Sequence, residues 1–250
     1  MEKMVVKSND IVRNVYILDG RSGCCSDDPL LPSAGVPLAG GGMSSPQSTP
    51  NAQVFKAFPQ SIVVERDAKV TVVVLVLPGV SCDIKLDVRL AGEGAESNIY
   101  GAYVCGGEEK VKISVDMHHD HPRCSSRQLF KGIAGGVSKV DFYGKIVVAQ
   151  DAQRTEAYQE NHNILLSDGA KVDTKPQLEI YADDVKCSHG ATIGRLNEEE
   201  QFYMRSRGIS LEDAKVLQMI SFIAPVLENI QNESQRDAIA SEFESQIRRI

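Results

Sequence analysis

Cys187 and His189 stand two positions apart in a 250-residue sequence, a thiol and an imidazole that can both ligate iron, zinc or copper. Two ligands make half of a tetrahedral site. On strand parity Cys187 shares a face with Val185, which equally suits a buried cysteine serving as a small hydrophobe, and spacing alone favours that packing role. His189 joins the same face only if Gly190 leaves the strand straight. A second cluster, His118, His119 and His121 with Asp116 and Asp120, offers further metal donors, although a polar loop closing at Pro122 is the more ordinary reading. Asp183 and Asp184 could act as general acid and base, but paired acids before a strand are usually turn formers. Gln153, Thr155, Gln159, Asn161 and Asn163 form an amide ladder that side-chain stacking explains without chemistry.

Other chemistries are excluded more firmly. No glycine-rich loop opens a helix, so a nucleotide site of the P-loop or Rossmann kind is not expected. A formal charge of -7 with no block of Lys or Arg gives no footprint for nucleic acid or an anionic membrane. The start of the chain lacks the apolar region of a signal peptide, and the run from Val70 to Leu77 is too short to span a bilayer, so a soluble, intracellular protein is expected. Six cysteines without a Cys-x-x-Cys pair argue against a disulfide framework, and Cys24-Cys25 sits at the edge of a Gly-, Pro- and Ser-rich stretch.

The elements that must position these residues change character along the chain. Residues 1–19 hold one or two weak strand-like runs, and 19–51 are rich in Gly, Pro and Ser. From Val54 to Ile193 short apolar runs recur with hardly a helical period among them. Ile84, Leu86, Val88 and Leu90 alternate with Lys85, Asp87 and Arg89, so one face is core and the other water. Val70 to Leu77 is apolar on both faces and must be an inner strand or be covered by another element. A mainly β fold follows, and even spacing favours a solenoid over a sandwich or barrel, with Gly79, Gly92, Gly101, Gly132, Gly144 and Gly169 at its corners.

Beyond Asn197 the period becomes helical. Asn197 with Glu198 to Glu200 opens a helix that Arg205, Arg207 and Gly208 close. Ser210 caps a second, with Leu211, Ala214, Leu217 and Ile220 on its apolar side and a stop or kink at Pro225; a third starts at Ser234 and places Ile239, Phe243, Ile247 and Ile250 at helical spacing. This region could cover the solenoid's open end or present a groove to a partner, since Phe202, Met219, Phe222 and Ile223 are more apolar surface than a lid requires.

The run from Asn163 to Ser167, then Val172 through Tyr181 to Asp183-Asp184-Val185-Lys186-Cys187-Ser188-His189-Gly190-Ala191-Thr192, then Phe202-Tyr203-Met204-Arg205-Ser206-Arg207-Gly208, resembles the SufB/SufD family of iron–sulfur cluster assembly proteins. His119 with Cys124 to Gln128, Phe142 to Val148 and Ala152 to Thr155 extend the likeness, and the Cys-Ser-His-Gly-Ala-Thr form is similar to the SufD branch. The resemblance implies a right-handed parallel β-helix over 54–196, a C-terminal α-helical region over 197–250 and a divergent, partly disordered segment over 1–53. It implies a cytoplasmic or organelle-stroma scaffold, not an enzyme, that pairs with SufB and docks the SufC ATPase. Cys187 and His189 then become candidate ligands of iron or a nascent cluster at the subunit interface, held transiently and not as a stable cofactor. Phe202, Tyr203, Arg205, Arg207 and Phe222 become candidate partner-binding residues.

The likeness lacks the N-terminal helical portion of longer family members, which suggests a short paralogue or a truncated form. Its uncapped end leaves a homodimeric solenoid with no metal role as the alternative. A β-helical carbohydrate-active enzyme is the rival from another class, but it needs a groove of several acids with a basic partner.

Overall fold

The computed structural model describes residues 3–18 and 58–250. Twelve strands alternate between two six-stranded sheets, so the chain winds as a flattened parallel β-solenoid. Strands β1 (Lys3–Val6), β3 (Ser61–Val64), β5 (Cys82–Leu90), β7 (Lys110–His119), β9 (Lys139–Val148) and β11 (Lys171–Ile180) form one sheet. The other is built from β2 (Ile11–Leu18), β4 (Lys69–Val76), β6 (Glu96–Cys105), β8 (Ser125–Ala134), β10 (Thr155–Leu165) and β12 (Val185–Gly194). All pairing is parallel; from β3 and β4 onward the register advances by roughly 30 residues per coil, within the usual range for solenoid repeats, whereas from β1 to β3 and from β2 to β4 it advances by 58. The two weak runs near the start are β1 and β2, which extend each sheet by one strand; Cys24, Cys25 and the Gly/Pro/Ser-rich stretch lie outside the described residues.

Alternation builds the core as expected. Cys82, Ile84, Leu86, Val88 and Leu90 are buried between the sheets, while Asp83, Lys85 and Arg89 face out. The corners meet expectation in part: Gly79, Gly92 and Gly169 sit in turns between strands. At one corner of each coil a single residue takes the left-handed conformation: Asn9, Asp67, Gly94, Arg123 and Arg154, with φ of 63°, 52°, 73°, 59° and 59°. Each donates its N–H to a carbonyl of the following coil's corner, namely those of Arg66, Glu93, Pro122, Gln153 and Asp184. Four of the five are not glycine, because a stacked hydrogen bond and a short polar or charged side chain at the surface suffice to hold that conformation.

Several of the glycines serve another purpose. Gly101, Gly132 and Gly144 lie inside β6, β8 and β9 rather than at corners. A Cβ at Gly101 would strike the Phe130 ring, at Gly132 Tyr103 and Asn163, and at Gly144 the Gln159 amide. These glycines make room for large side chains inside a narrow interior.

Helices α1 (Glu198–Ser206), α2 (Leu211–Leu227) and α3 (Glu233–Ile247) follow β12. Asn197 Oδ1 accepts from the Glu199 and Glu200 N–H groups, and Ser210 Oγ from that of Asp213, as capping rules require. Gly208, at φ 89°, ends α1 with the paired bonds Gly208 N–H to Arg205 C=O and Ile209 N–H to Met204 C=O. The cap of α3 is Asn232, two residues before the expected start. Pro225 does not stop α2, which runs on to Leu227 with Asn229 Nδ2 donating to the Pro225 carbonyl.

The helices do not close the open end of the solenoid. Helices α2 and α3 lie on the outer face of the second sheet, where Val73, Leu75, Leu77, Ala102, Val104 and Ile133 form one buried cluster with Val216, Met219, Ile223, Val226, Phe243 and Ile247, and α1 is tied to α2 through Gln201 and Glu200 to Gln218. That explains why β4 is apolar on both faces: one side meets the other sheet and the other meets α2 and α3. The buried side of α2 is Ala214, Val216, Met219 and Ile223, while Leu211 and Leu217 are exposed. Met219 and Ile223 are therefore core, not surface for a partner.

Candidate functional site at the open end

Strands β11 and β12 each have a neighbour on one side only, so the last coil ends in two free sheet edges among the described residues. Tyr181 is 63% exposed there and Ile180 and Ile193 are exposed as well, whereas the same sheets are sealed two strands earlier. Within β12 the backbone stays paired to β10 residue by residue from Val185 to Gly194, so Gly190 does not bend it. Cys187 pairs with Ala157 and His189 with Gln159, both fully buried. Residues in parallel register share a face, so Cys187 and His189 continue two interior columns of the solenoid by one layer, with the open end beyond them.

The Cys187 thiol is half-buried, free, and packed against the edge of the main core. Burial pushes its pKa up, which the Ala157 backbone only partly offsets, so the chain alone holds it as a thiol. The donor pair still fits iron or a cluster in kind, one soft sulfur and one borderline nitrogen on one face, about 7 Å apart along a strand. It does not fit in number. Among the described residues no three His, Cys, Asp or Glu side chains gather to hold a metal ion, so the remaining ligands would have to come from outside the described residues, including from a second chain.

The histidine cluster does not assemble. His119 ends β7 fully buried, its Nε2 2.8 Å from Ser126 Oγ, and burial and then the neighbouring His118 pull its pKa down to about 4. His118 points outward 3.5 Å from Asp87, and His121 is exposed in the turn beyond the strand, away from the face it was expected to share with His119. Asp183 and Asp184 are exposed turn residues: the Asp184 N–H donates to Gln153 Oε1 and its carbonyl accepts from Arg154. Gln153 thus belongs to the corner, and the interior amides are Gln159, Asn161 and Asn163, joined by Gln128, which the sequence pattern missed. Gln159 Nε2 donates to Gln128 Oε1 at 2.9 Å, and Tyr103 donates to Asn163 Oδ1. A polar residue at an inward position of two successive coils was the signal available in the sequence for Gln128.

Of the expected partner-binding residues, Phe202 and Tyr203 stand 73% and 60% exposed on α1, with Arg205 and Arg207 exposed beside them. Arg207 lies over the Tyr203 ring, and Phe222 is half-buried beneath the Lys131 ammonium, 4.5 Å from its ring centre. Leu196, Tyr203, Met204, Leu217 and Phe222 line one groove, whereas Phe202 and Arg205 line a second with Leu211 and Lys215.

The chain matches the family described as SUF system FeS cluster assembly, SufBD core domain, over residues 47–222. It belongs to the SufBD family. The iron–sulfur cluster assembly protein SufD of Escherichia coli is 41% identical over 151 residues, 60% of this chain and 36% of that protein. An iron–sulfur cluster assembly SufBD family protein of Synechocystis is 46% identical over 138 residues, 55% of this chain and 30% of the relative. Protein ABCI7, chloroplastic, of Arabidopsis thaliana is 42% identical over 151 residues, 60% and 32%. The chain spans about a third of the length of these curated relatives, and the match supports the SufD-like reading within the SufBD family. No helix among the described residues is long and apolar enough to cross a membrane.

Proposed function

We propose that this SufBD-family chain is a scaffold subunit without catalytic chemistry of its own, pairing with a SufB-like subunit and docking a SufC-like ATPase to support iron delivery and nascent cluster formation. The observation that carries it is the uncovered last coil. Two free parallel edges, apolar residues left exposed at Ile180, Tyr181 and Ile193, and half a ligand set at Cys187 and His189 all lie at one end. Each is a liability in a lone chain and a complement to a second one. Iron or the nascent cluster is cargo here: Cys187 and His189 hold it in transit, and the partner supplies the remaining ligands. Tyr203 and Phe222 in the α1–α2 groove, together with the exposed Phe202, Arg205 and Arg207, are the ATPase surface. The compartment is the cytoplasm, or the organelle stroma in a plastid-bearing cell.

Co-purification of the tagged chain with its SufB-like and SufC-like partners tests this. A ternary complex that loses the ATPase in Tyr203→Ala, and the SufB-like subunit in Tyr181→Asp, is the expected result. A homodimer that retains neither partner overturns it in favour of a self-pairing solenoid.

A further inference from the structure

The solenoid interior carries a file of side chains that collapse alone would not select. Ile99 on β6, Gln128 on β8, Gln159 on β10 and His189 on β12 follow one another in register. Gln159 is fully buried, and its Nε2 is engaged by Gln128, which leaves Oε1 with no hydrogen-bond partner among the described residues. An unpaired buried acceptor is destabilising, so it needs a reason. The opposite sheet has made space for this amide: a Cβ at Gly144 would collide with it, and a glycine in mid-strand is itself unfavourable. The next strand lies only ~4.8 Å along the file, and its residue in register is His189, exposed at the open edge.

Resting on the reading of His189 as a ligand of iron or a nascent cluster, we propose that Gln159 is its positioning residue. Gln159 Oε1 accepts a hydrogen bond from one ring N–H of His189. That bond fixes the tautomer and the ring plane, and it presents the other nitrogen, with its lone pair, at the solenoid's open end. Gln128 holds the Gln159 amide in the orientation that keeps Oε1 toward β12. A ligating histidine generally donates its second N–H to such an oxygen, and loss of the oxygen typically weakens metal binding about 10–100-fold.

The test uses the full chain, nitrogen-15 labelled and metal-free, at a pH where the imidazole is neutral, with His189→Ala assigning the ring signals. The wild type should show His189 in one tautomer, and Gln159→Met, of similar length but without the oxygen, should show averaged ring shifts. Cobalt(II) binding by the complex with the SufB-like partner should weaken about 10-fold or more in Gln159→Met. Identical ring shifts in the two proteins overturn the proposal. If cobalt binding falls in His189→Ala but not in Gln159→Met, the ligand reading stands and the positioning role is overturned; if it falls in neither, both are. Should Gln159→Met fail to fold, the wild type decides alone, because an interconverting ring overturns the proposal.

Discussion

The Tyr103 hydroxyl donates to Asn163 Oδ1 across the place where Gly132 has no side chain. Three consecutive strands cooperate in this contact: Tyr103 on β6, Gly132 on β8 and Asn163 on β10 are in register. Burial raises the Tyr103 pKa, while its hydrogen bonds to Asn161 and Asn163 act in the opposite direction. A methyl group at position 132 would meet both the ring and the amide. Gly132→Ala should therefore destabilise the chain by about 1–3 kcal/mol, the usual cost of overpacking. Urea denaturation reads this directly, and an unchanged midpoint would mean the interior is looser than the contacts indicate.

His119 gives the fold an acid-side weakness. Its folded pKa, about 4, lies below the ordinary 6.5, so between those values the unfolded chain binds more protons and stability rises with pH. The contribution is whole above about pH 6.5 and is lost as pH falls toward 4, approaching about 3 kcal/mol. His119→Gln keeps a partner for Ser126 without the titration, so its stability should vary less over that window. Equal pH slopes for the two proteins would contradict the assignment.

Much of this interior was legible in the sequence, and the part that was not shares one cause. Alternation in β5 and β7 gave the inward residues, and the caps at Asn197 and Ser210 gave two of the three helix starts, because these signals are local. The strand glycines, the buried face of α2 and the placement of the helices depend on neighbours one coil or one layer away. Gly144 is explained only by Gln159, and Met219 only by the sheet beneath it. The Cys187 and His189 pair was visible as a motif. That the end beside it stays uncovered was not, since nothing in the spacing says that α2 and α3 fold onto a sheet face instead.

Glu109 fastens the other corner of the solenoid. Its carboxylate accepts from the N–H groups of Gly79, Gly106 and Gly107, at 2.8, 3.2 and 2.7 Å. Burial pushes its pKa up, but these bonds and its own backbone N–H outweigh that and hold it below the ordinary carboxylate value. The stabilisation is therefore present above the unfolded pKa and lost as pH falls through the folded one. Glu109→Gln offers one acceptor oxygen where two are used, and should cost about 1–3 kcal/mol at neutral pH. Thermal unfolding of the two proteins at pH 7 checks it; equal stability would show the corner to be held by backbone alone.

Removing residues 197–250 should not leave a well-behaved solenoid. The cut uncovers Val73, Leu75, Leu77, Ala102, Val104 and Ile133 on one sheet face, an apolar patch that native surfaces rarely carry. The shortened chain should aggregate, while Ile223→Ala in the full chain should cost about 2–5 kcal/mol. A soluble, monomeric truncation seen by light scattering would refute the packing role given to α2 and α3.

His189→Ala in the assembled complex tests the central claim most directly. The residue is exposed on the last strand, so its loss should leave the chain folded and the partners bound. Iron–sulfur cluster formation, followed by absorption and iron content in the complex and by growth of a strain that depends on this pathway, should fall sharply. Normal cluster assembly by the variant would leave the Cys187 and His189 pair a packing feature and remove the metal role from the open end.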